Sequence, residues 1–349
     1  MSESVNEIIL TGYRPTGKMH LGHWFGNLQN MLELQHTYPE TYFFVADWHA
    51  LTSDWADPSR IVEFTEDMVL DWCAAGMNPE ESMIYRQSDI PQVAELNVYF
   101  SMVTPMSWLE RVPTYKEQRE NIKDKDLGNV GFFQYPMLMS ADIAIMRATK
   151  VPVGEDQIPH LEINREIVRR FNYTYGTVVK DGKGKGEDLV TGPLVEPQAL
   201  IASEGAKVPG LDGRKMSKSY GNAIFISDSA EELKQKAMSC MTDPARKLKT
   251  DPGDPDICPL HQIHKLIGEP QVIAEFDECC RNATCGCVAH KKKFAEDLVN
   301  YLTPFREKRE ELAARPGYAR EVLALGAERA LPKAAATIEA VRDSLKLSL

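Results

Sequence analysis

Residues 11–23 read TGYRPTGKMHLGH, and the run Glu7-Ile8-Ile9-Leu10 leads into them. Short apolar run, turn formers, then His20-Leu21-Gly22-His23 is the pattern of a strand, a Gly/Pro loop and the first turn of a helix. Such a junction sets helix-end N–H groups and a positive dipole end where an anion can sit. Gly17 and Gly22 carry no side chain, so backbone there can approach a flat ligand closely. His20 and His23 are three positions apart and share a helix face, which lets two imidazoles meet one phosphate. The segment is not a P-loop: Gly12 to Lys18 fits the opening of that motif, but Met19 stands where a magnesium-binding Ser or Thr is required. The spacing of Gly12, Gly17, Gly22 and Gly26 also excludes G-x-G-x-x-G.

Working outward, Trp24, Leu28, Met31 and Leu32 recur at helical spacing, and Tyr42 to Ala46 reads as a second buried strand. Strand, helix and strand with a crossover of this length imply a parallel, right-handed unit. Asp57 with Pro58 predicts a helix start, Ile61, Met68, Trp72 and Ala75 its inner face, and Gly76 its end. Met83-Ile84-Tyr85 predicts a third strand. The expected fold class is α/β, a doubly wound parallel sheet, in which ligands bind beyond the carboxyl ends of the strands. Residues 180–187, KDGKGKGE, read as a polar, mobile loop. Beyond residue 227 the pattern turns helical: a capping box at Ser229 to Glu232, a charged amphipathic run over 291–312, and an alanine-rich run over 319–346 broken at Pro332. Two domains follow, 1–226 and 227–349.

The 349 residues are 43% hydrophobic and 26% charged, which suits a globular protein with a full core. No signal segment or membrane-length apolar run is visible, so the expected location is the cytoplasm. Residues 225–349 carry 19 basic against 20 acidic side chains, so nearly all of the net charge of −11 lies before them. A general nucleic-acid binder needs a net basic footprint, and any RNA partner must therefore meet local patches. Six of the seven cysteines fall in the second half, an arrangement that speaks for metal or redox chemistry rather than a secreted disulfide framework.

A second motif, Gly213-Arg-Lys-Met-Ser-Lys-Ser-Tyr-Gly221, sets Lys215 and Lys218 in a short loop framed by glycines, where two ammonium groups can neutralise charge building on a polyphosphate leaving group. HLGH in the first βα turn and KMSKS about two hundred residues later resemble the paired signatures of class I aminoacyl-tRNA synthetases, the Rossmann-like HxGH/KMSKS type. The resemblance implies amino-acid activation by ATP with Mg2+, release of pyrophosphate, and transfer to tRNA. It implies His20, His23, Lys215 and Lys218 as the catalytic set. Thr16, Gly17, Gly22, Gly154, Asp156, Met216, Ser217 and Ser219 would join His23 and the lysines around ATP.

Tyr135-Pro-Met-Leu-Met139-Ser-Ala-Asp142, with Val153-Gly-Glu-Asp-Gln157 after it, resembles the tryptophanyl-tRNA synthetase family over nearly the whole chain. By that resemblance Asp142 accepts the indole N–H, Met139 packs on the ring, Tyr135 and Gln157 engage the α-amino group, and Leu10, Asp47, His49 and Val153 complete the tryptophan site. Indole offers one donor and no acceptor, so one buried acceptor in an apolar slot suits it, whereas a phenol needs a donor as well. Tyrosine enzymes place a glutamine three residues before the aspartate, where this chain has Met139. Bacterial tryptophan enzymes often have an aromatic residue where this chain has Leu10. The resemblance further implies a homodimer, tRNA(Trp) as partner, no membrane association, and an anticodon-binding role for the helical domain. Some members hold an iron–sulphur cluster on Cys-x6-Cys-x2-Cys and an upstream cysteine. Here Cys258, Cys280, Cys287 and His290 occupy those positions, a set suited to a [4Fe-4S] cluster or Zn2+, with Cys285 as an alternative fourth ligand. Lys291 to Lys293 beside it would grip the anticodon stem. A nucleotidyltransferase of the same superfamily would lack the long helical part, and a non-catalytic paralogue would have lost a signature residue.

Overall fold

A computed structural model describes residues 7–112, 127–154, 157–179, 189–201, 208–248 and 250–348. Its centre is a five-stranded parallel sheet in the order β3-β2-β1-β4-β7. These strands are β1 (Ile8–Tyr13), β2 (Glu40–Val45), β3 (Met83–Arg86), β4 (Lys150–Val153) and β7 (Gln198–Ile201). A separate antiparallel pair, β5 (Thr177–Val179) and β6 (Leu189–Thr191), lies between β4 and β7 in sequence; residues 180–187 are outside the described residues. Strand order reverses at β1 and β4, so the crevice for a ligand opens beyond Tyr13 and Val153. The signature loop after β1 and Gly154 after β4 both lie there.

β1, β2 and β3 divide their side chains between two cores, as a two-residue period demands. Ile9, Phe43, Val45 and Ile84 pack on one face with α2 (Gln29–Thr37), α4 (Ile61–Ala75) and α13 (Cys287–Ala313). Ile8, Leu10, Tyr42, Phe44, Met83 and Tyr85 pack on the other, beneath α5 (Gln92–Val103), α8 (Tyr135–Ile145), α9 (Ile158–Tyr175) and α14 (Tyr318–Ser344). The remaining helices are α1 (Leu21–His23), α3 (Asp47–Asp54), α6 (Met106–Glu110), α7 (Val130–Phe133), α10 (Ala230–Ser239), α11 (Pro259–His264) and α12 (Pro270–Arg281), and a π-helical turn, Trp24–Leu28, joins α1 to α2.

The chain after residue 227 is helical, and its last helix returns to the sheet. Along α14, Ala327, Ala330, Ala334, Ile338 and Val341 bury against the second face, and a Cβ on Gly326 would stand 1.9 Å from the Ile84 carbonyl oxygen. Only glycine allows that approach. Two local expectations change. Pro332 does not break α14, which runs through it unbroken, because the packed alanine face offsets the lost backbone bond. Asp57 does not cap α4: its carboxylate accepts from the Ser59 N–H in the preceding turn, and Arg60 occupies the cap position. The box at Ser229 forms in both halves, with Ser229 Oγ accepting from the Glu232 N–H and Glu232 accepting from the Ser229 N–H.

Candidate active site

His20 ends the loop after β1, and its imidazole stacks on that of His23 with centroids 3.7 Å apart. The His20 backbone N–H donates to His23 Nδ1 at 3.3 Å, and this bond fixes the second ring. His20 Nδ1 is buried with no partner, a polar atom free to meet a ligand. A Cβ on Gly22 would stand 2.9 Å from the His20 ring, so any side chain there would press on the imidazole. Burial holds His20 at about 4 and His23 at about 3, and Lys218 adds to the depression in each case. Both rings are therefore neutral at pH 7, and each can donate one N–H without bringing charge.

The KMSKS loop is stitched to this turn by backbone. The Leu21 N–H donates to the Ile224 carbonyl and the Ile226 N–H to the Met19 carbonyl, each at 3.0 Å. Met216 is buried in the first core and anchors the loop. Asn222 shapes it, accepting from the Ser217 N–H at 2.9 Å and donating to the Lys215 carbonyl at 3.2 Å. Ser217 and Ser219 share a hydroxyl bond of 2.8 Å, and Lys215 is exposed. Lys218 Nζ donates to the carbonyls of Gly17 at 2.9 Å and Thr16 at 3.1 Å. Its pKa is lowered to about 8, chiefly by burial, with the charge of Asp71 opposing. This ammonium sits on the glycine loop itself, held by two carbonyls.

Asp142 on α8 is 2% exposed. His49 Nε2 lies 2.8 Å from its Oδ2, and Gln87 Nε2 donates to both oxygens at 2.8 and 3.0 Å. Burial raises the Asp142 pKa, and the bonds from His49 and Gln87 work against that rise. A carboxylate offers about four lone-pair positions, so one position on Oδ1 stays available to a further donor. Leu10, Val153 and Met139 belong to the same core as Asp142's helix, so this carboxylate has apolar surroundings. Asp47 has its carboxylate occupied by the Trp48 N–H and by the N–H and hydroxyl of Ser88, so it supports this end of the sheet from behind. Tyr135 Oη meets His160 Nε2 at 2.7 Å, and the Gln157 N–H donates to the Gly154 carbonyl at 3.0 Å. Asp156 lies outside the described residues.

The family model for class I tRNA synthetases of tryptophan and tyrosine matches residues 3–303. The chain belongs to that family. It is 43% identical over 340 residues to the tryptophan–tRNA ligase of Thermotoga maritima, covering 97% of this chain and 99% of that protein. It is 39% identical over 397 residues to the tryptophan–tRNA ligase of Ralstonia nicotianae, covering 98% and 99%. The tryptophanyl-tRNA synthetase of Campylobacter jejuni, solved with ADP and tryptophan, superposes with a TM-score of 0.85 at 32% identity, covering 97% of this chain and 99% of that one. A tyrosyl-tRNA synthetase from Archaeoglobus fulgidus shares the fold, with a TM-score of 0.62 at 19% identity.

Gln87, beside Asp142, is the residue that sequence reasoning passed over. It is fully buried, and its Oε1 accepts from the backbone N–H groups of Trp48 and His49 while its amide holds Asp142. The one signal for it was position: it follows β3 directly, at the carboxyl end of a parallel strand.

The cysteines depart from expectation. Cys258, Cys280, Cys287 and His290 do line one small cavity, together with Asp243 and Arg246. Yet among the described residues no group of three or more His, Cys, Asp or Glu side chains is arranged to hold a metal ion. The Arg246 guanidinium stands among the sulphurs, 3.6 Å from Cys280 Sγ and 3.9 Å from Cys287 Sγ. His290 Nε2 is engaged at 2.9 Å by His264 Nδ1, whose other nitrogen meets Asp297, also at 2.9 Å. Cys285 is not free to be a fourth ligand because it is disulfide-bonded to Cys279. The residues in this arrangement do not fit an iron–sulphur cluster or zinc. The basic patch is likewise partly occupied: Lys291 Nζ donates to the Met238 carbonyl and Lys293 pairs with Asp297.

Proposed function

We propose that this chain is a tryptophan–tRNA ligase that activates L-tryptophan with the magnesium complex of ATP and passes the product to tRNA(Trp). The observation that carries the reading is Asp142: a buried carboxylate, steadied by His49 and Gln87, with one acceptor position left among apolar neighbours. An indole N–H satisfies that position and brings no acceptor that would need a donor in return. The names of relatives at 43% and 39% identity over nearly full length support the same substrate.

In the first step the tryptophan carboxylate attacks the α-phosphorus of ATP, the bond to the bridging oxygen breaks, and pyrophosphate leaves with the electron pair. Neutral His20 and His23 each place an N–H at the α-phosphate, so the histidines orient it while charge comes from lysine. Lys218, protonated below about pH 8, exchanges its Gly17 and Thr16 carbonyls for pyrophosphate oxygens, and Lys215 approaches from the exposed side of the loop. Thr16, Gly17, Gly22, Gly154, Asp156, Met216, Ser217 and Ser219 surround the nucleotide. Leu10, Met139 and Val153 wall the indole, with Asp47, Tyr135 and Gln157 toward the polar end. In the second step the terminal ribose hydroxyl of tRNA attacks the aminoacyl carbonyl and releases AMP.

The helical segment after residue 227, with Lys292 exposed at the start of α13, takes the anticodon arm. The working form is a homodimer in the cytoplasm. Exposed Val98, Met102 and Met106 along α5 and α6 support an apolar contact between copies. No helix among the described residues is long and apolar enough to cross a membrane. The test is charging of tRNA(Trp) by the purified chain with labelled tryptophan and ATP. Label is expected on tRNA with tryptophan, and label only with tyrosine would overturn the reading.

A further inference from the structure

Asp71 on α4 is a carboxylate the reaction above does not use, and it is 1% exposed. Its surroundings tie three distant parts of the chain together. The Met19 backbone, one residue before His20, favours the charged form of this carboxylate. Its negative charge supports the Lys218 ammonium. Arg309 on α13 donates from Nε to Asp71 Oδ1 at 2.6 Å and from Nη2 to Asp67 Oδ1 at 2.7 Å, a fork across two carboxylates one helical turn apart on α4. Arg309 is the only charge on α13 that the described contacts bring to Asp71, and it is separated from Asp71 by 238 positions in sequence.

The same face of α13 grips the helix that carries the first signature. Tyr301, Phe305 and Arg309 are spaced four apart and line one side of α13. Trp24 Nε1 donates to Tyr301 Oη at 3.0 Å, the Trp24 ring meets Phe305 edge-on at 5.5 Å, and Phe25 stacks on Tyr301 at 6.0 Å. Trp24 and Phe25 open the π-helical turn immediately after His23. Wide turns of this kind recur at functional sites, where they aim the residues beside them. The HLGH turn is therefore held by α13 through Trp24 and Phe25, directly after it.

We infer that Asp71 and Arg309 are positioning residues for adenylate formation: the fork seats α13 on α4, and α13 in turn aims the HLGH turn through Trp24 and Phe25. Removing Arg309 leaves a buried carboxylate unpaired and loosens α13 on α4, which disturbs the HLGH turn rather than the far side of the sheet.

The inference rests on the activation chemistry proposed above, so the full-length wild type is assayed first. Absence of tryptophan-dependent pyrophosphate exchange in the wild type would defeat that reading, not this one specifically. With an active wild type, Arg309→Met and Asp71→Asn are expected to lower the maximal exchange rate about tenfold or more, the scale set by misplacing a reacting group by a fraction of its radius. Tryptophan affinity, read by fluorescence quenching, is expected to stay within about twofold. Arg309→Lys keeps the charge without the fork and is expected to recover most of the rate, leaving a loss of about threefold. Exchange at the wild-type rate in either neutralised variant, or an equal loss of rate and tryptophan affinity, overturns the inference. Where neither neutralised variant folds, Arg309→Lys decides it: a reduced rate with intact affinity supports the positioning role, and a wild-type rate refutes it.

Discussion

Replacing Gln87 with Glu exchanges one atom group in a fully buried side chain and tests how the tryptophan carboxylate acceptor is held. The new carboxyl keeps the oxygen that accepts from the Trp48 and His49 amides. On the other side it puts an oxygen in place of the Nε2 that now donates to Asp142 at 2.8 and 3.0 Å. Two unit charges about 4 Å apart repel by about 4 kcal/mol at an effective dielectric near 20. That raises the second titration of the pair well above the ordinary carboxylate range, and desolvation pushes it further. At pH 6 the pair therefore shares a proton, the new group donates as the amide did, and tryptophan affinity stays near wild type. As the pH rises the pair gives up that proton, Asp142 is pushed from its place, and losing its charge-assisted bond to the indole costs roughly 1.5–3 kcal/mol, about 10- to 150-fold in Kd. The assay is tryptophan binding by fluorescence quenching from pH 6 to 9, expressed as the ratio of variant to wild type. A ratio that stays at one across the range would refute the claim that Gln87 holds Asp142.

Other consequences follow from the same groups. Lys218, with a pKa lowered to about 8, loses its charge as pH rises, so kcat/KM for ATP is expected to fall above pH 8 in the wild type. Lys218→Arg should be less active but lack that limb, and a wild-type profile flat to pH 9.5 would contradict the assignment. His20, His23, His261 and His290 are held by burial at about 4, 3, 4 and 3. The unfolded chain takes up protons first, near pH 6.5, so stability is full above that value and is lost as pH falls toward 4, by an amount on the order of several kcal/mol. Urea midpoints at pH 7.5 and 5 check this, and equal midpoints would contradict it. Thiol titration of the unreduced native protein should detect only the partly exposed Cys280 and Cys287 promptly, since Cys73, Cys240 and Cys258 are buried and Cys279 is bonded to Cys285. Denaturation without reductant should raise the count to five, and a count of seven would exclude the disulfide.

The first three strands of the sheet and both signature loops were legible because they rest on local rules, whereas β4 and β7 were not read. Alternating or continuous apolar runs at Ile8–Leu10, Tyr42–Ala46 and Met83–Tyr85 reappear as β1, β2 and β3, and the turn chemistry between them marks the loops. Family resemblance then singled out Asp142 and Met139, which no periodicity distinguishes from core residues. Other features lie in contacts between segments far apart in sequence. Gln87 is a lone amide until β3 sets it against α8, and Arg309 is one charge among many on an amphipathic helix until α13 lies across α4. Pro332 misled because propensity speaks for an isolated helix, whereas α14 is held along its length by the sheet beneath it. The cysteine spacing was read correctly as a cluster in space, but Arg246 and the Cys279–Cys285 bond, which alter its chemistry, have no sequence spacing to announce them.

The central claim is that the slot beside Asp142 selects indole and that the two signature loops activate it. ATP–pyrophosphate exchange, measured on the purified chain with each of the twenty amino acids in turn, tests both halves at once. Exchange stimulated by tryptophan alone, and abolished by Asp142→Ala, is the expected result. Exchange stimulated by tyrosine and not by tryptophan would contradict the account.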